Sequence, residues 1–173
     1  MRIPVYTKGV LQSPLLNIVF LQEIDGLRFL QIFTGPHEAD YISNAILGFH
    51  SERPLTHDLF LDVFAQIEID IKFVVLTEVI GETFYAKIVL DNDGETVIID
   101  ARPTDAIILA IKSDASIYIE EDILDIYGHT LEIDENLEDA LKKGEKKTNV
   151  PGAFQDFIGN LSELDDLDKP PKE

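Results

Sequence analysis

The sequence predicts an α+β domain: a mixed, largely antiparallel sheet with a few packed helices, one of them nearly fully buried. Three observations point there. Strand-length apolar or alternating runs come in groups, not in strict alternation with helices. Asp25-Gly26 and Asp93-Gly94 sit between such runs as turn signals. Residues 104–112 read as a helix apolar nearly all round (Ala106, Ile107, Ile108, Leu109, Ala110, Ile111), a pattern that suits burial.

Taken in order, residues 2–12 and 15–24 read as two strands separated by Gln12-Ser13-Pro14, and Leu27–Phe33 as a third. Gly35-Pro36 opens a helix over 36–47, with Ala39, Ile42, Ile46 and Phe49 as its apolar stripe and Gly48 as its stop. A second helix follows Thr56, with Leu59, Phe60, Val63 and Phe64 on one face. Residues 71–80 and 82–90 form a hairpin around Gly81, and Phe84, Ala86, Ile88 and Leu90 share one face of its second strand. Asp91-Asn92-Asp93-Gly94 turns the chain into a strand over 96–100. The buried helix follows, then a short strand at Ser116–Ile119 and helical pieces near 121–126 and 134–143. From Gly144 the texture changes to Lys, Asn, Pro, Gly and Asp, so the expected division is a domain over 1–143 and an acidic, partly flexible tail over 144–173. Phe154, Phe157, Ile158, Leu161 and Leu164 are spaced as one helical face within that tail.

Composition narrows the function classes. A chain of 173 residues with 45% hydrophobic content is long enough for one well-packed domain. No apolar run is long enough to span a membrane, and Met1-Arg2-Ile3-Pro4-Val5 lacks a signal-peptide pattern, so a cytoplasmic protein without membrane partners is expected. The absence of cysteine excludes disulfides, thiolate zinc sites, iron–sulfur clusters and cysteine nucleophiles. The net charge of −19 repels polyanions at long range, which disfavours nucleic acid as a partner without a local basic patch or bridging cations. Seven acids and four bases in the tail leave −16 on residues 1–143, so the acidity belongs to the domain itself.

The chain has four arginines, and two of them open similar turns: Arg53-Pro54-Leu55-Thr56-His57-Asp58 and Arg102-Pro103-Thr104-Asp105. Proline suits a first helical turn, Thr56 and Thr104 are candidate N-caps, and Asp58 and Asp105 fall where the helix dipole favours negative charge. Arg53 and Arg102 sit about one turn earlier, within reach of those carboxylates. Two readings follow: capped helix starts clamped by Arg–Asp pairs, or a polar site built from both turns.

His57 is embedded in the first of these turns and is a candidate general base or metal ligand, against a plain solvent-facing role. His37 beside Glu38 reads as a helix start, and His50 and His129 carry no signal. Asp91-Asn92-Asp93-Gly94 resembles the start of a calcium loop but lacks its closing glutamate, so a hairpin turn is expected. Glu120-Glu121-Asp122 reads as a solvated helix start. Gly-rich phosphate loops, GxSxG elbows and HExxH helices are absent. If the chain is an enzyme, divalent-metal-assisted phosphodiester hydrolysis suits these groups: carboxylates hold Mg²⁺ or Mn²⁺ and arginine neutralises the phosphate.

Glu38-Ala39, Arg53 through Leu59, Phe84-Tyr85-Ala86, and Asp100 through Ile107 followed by Leu109-Ala110 stand in an order and spacing that resemble the bifunctional nuclease family. The likeness covers roughly residues 5–130 and looks like a bacterial single-domain member. It implies RNase and DNase activity, credited to plant members. By motif it carries candidate catalytic roles onto Arg53, His57, Asp58, Arg102 and Asp105, with Asp58, Asp100, Asp105 and Glu38 as candidate metal ligands.

Two functions are therefore carried forward. The first is a metal-dependent nuclease acting on DNA and RNA, which requires Asp58, Asp100 and Asp105 oxygens within metal-sharing distance of one another. The second is a non-catalytic binding or regulatory domain whose paired turns are structural clamps. A homo-oligomer is also expected, because Ile71, Phe73 and Val75 alternate with Val74 and Leu76, which leaves apolar side chains on both faces of the strand over 71–80.

Overall fold

The computed structural model describes residues 1–130. The expected helical piece near 134–143 and the tail over 144–173 lie outside the described residues, as does the domain boundary between them. The elements are β1 (Arg2–Gln12), β2 (Asn17–Glu23), β3 (Arg28–Phe33), α1 (Pro36–Ile46), α2 (Thr56–Gln66), β4 (Ile69–Ile80), β5 (Thr83–Asn92), β6 (Glu95–Ala101), α3 (Pro103–Ser113), β7 (Ser116–Glu120), α4 (Glu121–Tyr127) and β8 (His129–Thr130). Of these, only the two-residue β8 was not anticipated.

All eight strands join one sheet in the order β6-β5-β4-β7-β1-β2-β3-β8. Every pairing is antiparallel except β4 with β7. The architecture is thus the expected α+β class: two antiparallel groups, β4–β6 and β1–β3, joined through β7. Turn chemistry sets the hairpins. Asp93 and Gly94 both have positive φ (50° and 87°), and the Gly94 N–H donates to Asp91 Oδ1 at 3.0 Å. Asp and Gly tolerate that conformation, so the calcium-like segment is the tight hairpin turn its residues favour.

The core lies between the sheet and α3. Ala106, Ile107, Ile108, Leu109 and Ala110 are all buried, which is the near-complete burial expected of this helix. Two expected helix faces differ. In α1 the buried stripe is Ala39, Ile42 and Ala45, while Ile46 and Phe49 are exposed, because the helix ends at Ile46 and Gly48 (φ +64°) turns the chain away. In α2 the one buried residue is His57, whereas Leu59, Phe60 and Val63 face outward. The strand β4, expected to leave apolar surface, runs between β5 and β7 and buries Val74, Val75 and Leu76. No helix among the described residues is long and apolar enough to cross a membrane.

Glu23 closes the β2–β3 turn. It is a buried carboxylate that accepts from the Arg28 backbone N–H at 3.1 Å, from Arg28 Nε at 3.0 Å and from Nη2 at 2.5 Å. Arg28 also pairs with Asp125 on α4. These Arg28 hydrogen bonds hold the Glu23 carboxyl below its ordinary value despite its burial.

Glu23→Ala should strand Arg28 next to a buried gap and destabilise the domain by about 3 kcal/mol. Urea unfolding of the full chain followed by circular dichroism measures this. A change within error of zero would mean that the pair does not anchor the turn.

Candidate functional site

The paired turns differ in register, and the difference decides which residues meet. In α3 the N-cap is Arg102, Pro103 follows at the first helical position, and Asp105 stands three residues after the arginine. That spacing puts both side chains on one face of the first turn. Arg102 Nε donates to Asp105 Oδ2 at 2.7 Å and Nη2 to Oδ1 at 3.1 Å. In α2 the N-cap is Leu55, and Arg53 precedes Asp58 by five residues, outside the helix. Asp58 Oδ2 accepts from the Leu55 backbone N–H at 2.9 Å, and Oδ1 accepts from Lys112 Nζ of α3 at 2.7 Å. Arg53 is exposed and forms no ion pair among the described residues. The expected Arg–Asp clamp therefore forms in one turn and not in the other. Thr56 and Thr104 are not N-caps: Thr56 is the first helical residue of α2, after the N-cap Leu55, and Thr104 is the buried second residue of α3.

Four side chains from three helices converge at Arg102. Its Nη1 donates to Glu38 Oε1 on α1 at 3.0 Å, while His57 Nε2 on α2 lies 3.1 Å from Asp105 Oδ1. An ionised carboxylate only accepts, so the His57 proton in this contact sits on Nε2. The Nδ1 of the same ring is buried and has no hydrogen-bond partner. The Tyr41 ring meets His57 edge-on, with centroids 5.6 Å apart. Burial pushes the Asp105 carboxyl up, but hydrogen bonds from Arg102 and His57 outweigh it, so it lies below its ordinary value. The same Asp105 hydrogen bonds, with Glu38 adding to them, hold the guanidinium charged.

A cleft of about 680 Å³ opens beside this cluster, between α1, α2, α3 and strands β5 and β6. Its walls are largely apolar and aromatic, with Tyr41, Phe60, Phe64, Ile88 and Ile99 among them, and Glu38, His57, Arg102 and Asp105 also border it. Gly35 keeps the Glu38 arm in place, since a Cβ there would come within 2.5 Å of Glu38 Oε2.

The remaining candidates divide between two clefts. Asp58 lines a second, smaller cleft with His50, Asp62 and Lys112. Asp100, opposite Lys87 in the β5–β6 ladder, borders the first cleft, with strand alternation turning its side chain from the face of Ile99 and Ala101. The expected carboxylate set thus splits, with Glu38, Asp100 and Asp105 bordering one cleft and Asp58 the other. No three His, Asp or Glu side chains form a metal-holding group among the described residues. Arg102 occupies the space between Glu38 and Asp105, where a cation would sit. These residues do not fit a ready-made Mg²⁺ or Mn²⁺ site.

Sequence reasoning missed Lys112 and the aromatic wall. Tyr41 was within reach, because it stands three residues after Glu38 on the same helix, and side chains at that spacing are neighbours. Nothing in the sequence pairs Lys112 with Asp58, 54 residues away.

The bifunctional nuclease domain model matches residues 19–132 of the chain. Two proteins of Mycobacterium tuberculosis, one from strain CDC 1551 and one from strain H37Rv, are each 31% identical over 147 residues. The aligned region covers 84% of this chain and 85% of each relative, and both carry the description uncharacterized protein.

The Asp58–Lys112 pair has a pH signature. The hydrogen bond from Lys112 chiefly lowers the Asp58 carboxyl below its ordinary value. A depressed folded pKa stabilises above the unfolded value, about 3.9 for Asp, and that contribution fades as pH falls through the folded value. Asp58→Asn should therefore lose about 1–3 kcal/mol at neutral pH. The gap to wild type should close below pH ~4. Urea unfolding across that pH range checks both points, and a gap independent of pH would exclude the charge as its cause.

Proposed function

Because the chain belongs to the bifunctional nuclease domain family, we propose that its cleft engages a single-stranded nucleic-acid segment, with Arg102 as the phosphate ligand and Asp105 as the proton-handling carboxylate. One observation carries this reading: a charged, oriented guanidinium stands at the mouth of an aromatic-walled cleft. Arg102 commits three of its five N–H groups to Asp105 and Glu38, which leaves two for a phosphate oxygen. Its side chain is 64% exposed, so those donors are reachable. The two carboxylates fix the guanidinium plane, and Tyr41 and Phe60 offer faces on which an unstacked base can rest. A duplex keeps its bases stacked and cannot use such walls, so single strands are the favoured form.

Cleaving a phosphodiester requires charge stabilisation on the phosphoryl oxygens and an acceptor for the proton of the attacking oxygen. Arg102 supplies the first. Asp105 Oδ2 receives one hydrogen bond, from Arg102 Nε, and so keeps accepting capacity for a water or a hydroxyl. His57 is a positioning residue in this arrangement: it is only 9% exposed and holds Asp105 Oδ1 from the buried side. RNA suits the site better than DNA, since its own 2′-hydroxyl can attack the adjacent phosphorus: its proton passes to Asp105, the P–O5′ bond breaks, and the 5′-oxygen leaves with a proton from water, giving a 2′,3′-cyclic phosphate. Since Arg102 pairs with both Glu38 and Asp105, no step is assigned to a metal ion.

A second reading has its own support. Glu38, His57, Arg102 and Asp105 pair with one another, and the net charge is −19, which is what a non-catalytic binding or regulatory domain would show.

Cleavage of fluorescent single- and double-stranded RNA and DNA, in Mg²⁺, Mn²⁺ or EDTA, separates the two. Single-stranded RNA should be cut with EDTA present. Arg102→Ala and Asp105→Asn should each lower the rate by about 10²-fold or more. Asp58→Asn, shown folded, should keep the rate per folded molecule. Activity seen only with added metal would overturn the metal-free assignment, and no cleavage under any condition would leave the binding reading.

Ionic strength gives an independent check. A basic nucleic-acid binder loses affinity steeply as salt rises. Here one arginine contact works against an overall repulsion that salt screens within about 10 Å at 0.1 M. The apparent KM for an oligonucleotide should stay flat or fall between low and physiological salt, and a steep rise would point to a basic patch beyond the described residues.

A further inference from the structure

We propose that the chain pairs with a second copy of itself through β6, edge to edge and antiparallel, to form one continuous sheet across two molecules. The inference is independent of the nuclease reading and rests on the edge itself. Strand β6 ends the sheet, so its outer backbone groups have no strand partner among the described residues. Solvent-exposed edges are normally blunted by lysine, proline, a bulge or extreme shortness. Strand β6 has none of these. It runs Glu-Thr-Val-Ile-Ile-Asp-Ala over seven residues, and its register with β5 is unbroken. Val97, Ile98 and Ile99 are all exposed, with Ile98 at 60%.

Charge sets the register in which a second copy fits. The midpoint of β6 is Ile98, so a two-fold axis there overlaps all seven residues. Ile98 then faces Ile98 of the second copy, Val97 faces Ile99, Thr96 faces Asp100 and Glu95 faces Ala101. No carboxylate opposes a carboxylate. A slip of one residue in one direction would set Glu95 against Asp100, and like charges directly opposite are destabilising. A slip of one residue in either direction would also place the two helix layers on opposite faces of the sheet, because opposed residues share a face.

The register centred on Ile98 keeps both helix layers on one side. Phe60 of α2 and Ile99 of β6 line the same cleft, so the outward Leu59, Phe60 and Val63 lie on the side that carries Val97 and Ile99. Pairing therefore leaves α2, which packs on β4 and α3, on the same side of the sheet as α2 of the second copy. It also sets Val97 and Glu95 of the second copy beside Ile99 and Ala101, on the β6 wall of the cleft. Two chains of −19 repel, so the association should tighten as salt rises.

Sedimentation equilibrium of the full chain at moderate salt should give twice the 19.5 kDa chain mass. Ile98→Lys, which opposes two like charges at the axis, should weaken association by at least about 100-fold while leaving the circular dichroism spectrum unchanged. The absence of cysteine allows a test of register that does not depend on that variant. Opposed residues in an antiparallel pair lie within disulfide range, and diagonal ones do not. Ile98→Cys should therefore cross-link on mild oxidation, Val97→Cys alone should not, and a mixture of Val97→Cys with Ile99→Cys should. A wild-type chain that stays monomeric at its highest soluble concentration would overturn the proposal. So would a dimer that survives Ile98→Lys and shows no Ile98→Cys cross-link.

Discussion

The chain must return from β6, at the edge of the sheet, to seat β7 between β4 and β1, and α3 is the segment that makes that return. The two antiparallel groups of strands meet only through β7, so the domain holds together as one unit because α3 can lie across its middle. This is why the helix is apolar nearly all round. Burying five consecutive residues from Ala106 to Ala110 leaves no room for polar side chains along its centre. Polar groups are pushed to its ends: Arg102 and Asp105 at the N-terminus, Lys112 in the last turn. The four-residue cluster and the Asp58–Lys112 pair are thus the two ends of one buried helix, each tied to α2.

That arrangement explains how much was legible beforehand. Strand groups, the hairpin turns and the buried helix are local properties, because periodicity and Asp-Gly chemistry act over a few residues. The faces of α1 and α2 were misjudged for a nonlocal reason. Counting apolar positions assumes that the most hydrophobic face is buried, but α2 packs along His57, Leu61 and Phe64, with His57 meeting the charged end of α3 and the other two meeting the apolar core. Leu59, Phe60 and Val63 stay outside because α2 lies on β4 and α3 through its other side, and strand order cannot be read from periodicity.

The candidate site was half legible for a similar reason. Two turns with Arg, Pro, Thr and Asp look alike as composition, yet a spacing of three puts Arg102 and Asp105 on one helical face, and a spacing of five does not do so for Arg53 and Asp58. The spacing was in the sequence, and counting it would have separated the turns. What was not there is the contact of Glu38 with Arg102 across 64 residues, or the separation of Asp58 into a second cleft. Each depends on how helices pack over the sheet.

An arginine between two carboxylates carries a further implication for a chain this acidic. Glu38, Asp105 and Arg102 together carry one net negative charge, so the cluster has no long-range attraction for a polyanion. Recognition must then come at short range, from the two unused guanidinium donors and the aromatic walls. Selectivity follows from that limit. A ligand that offers only phosphates gains little against repulsion, while one that also presents an unstacked base gains the apolar surface of the cleft. If the cleft takes nucleic acid as proposed, paired strands gain less from it than single ones, because their bases are already stacked. The same acidity that argues against a general nucleic-acid binder is therefore consistent with a site that reads one exposed nucleotide at a time.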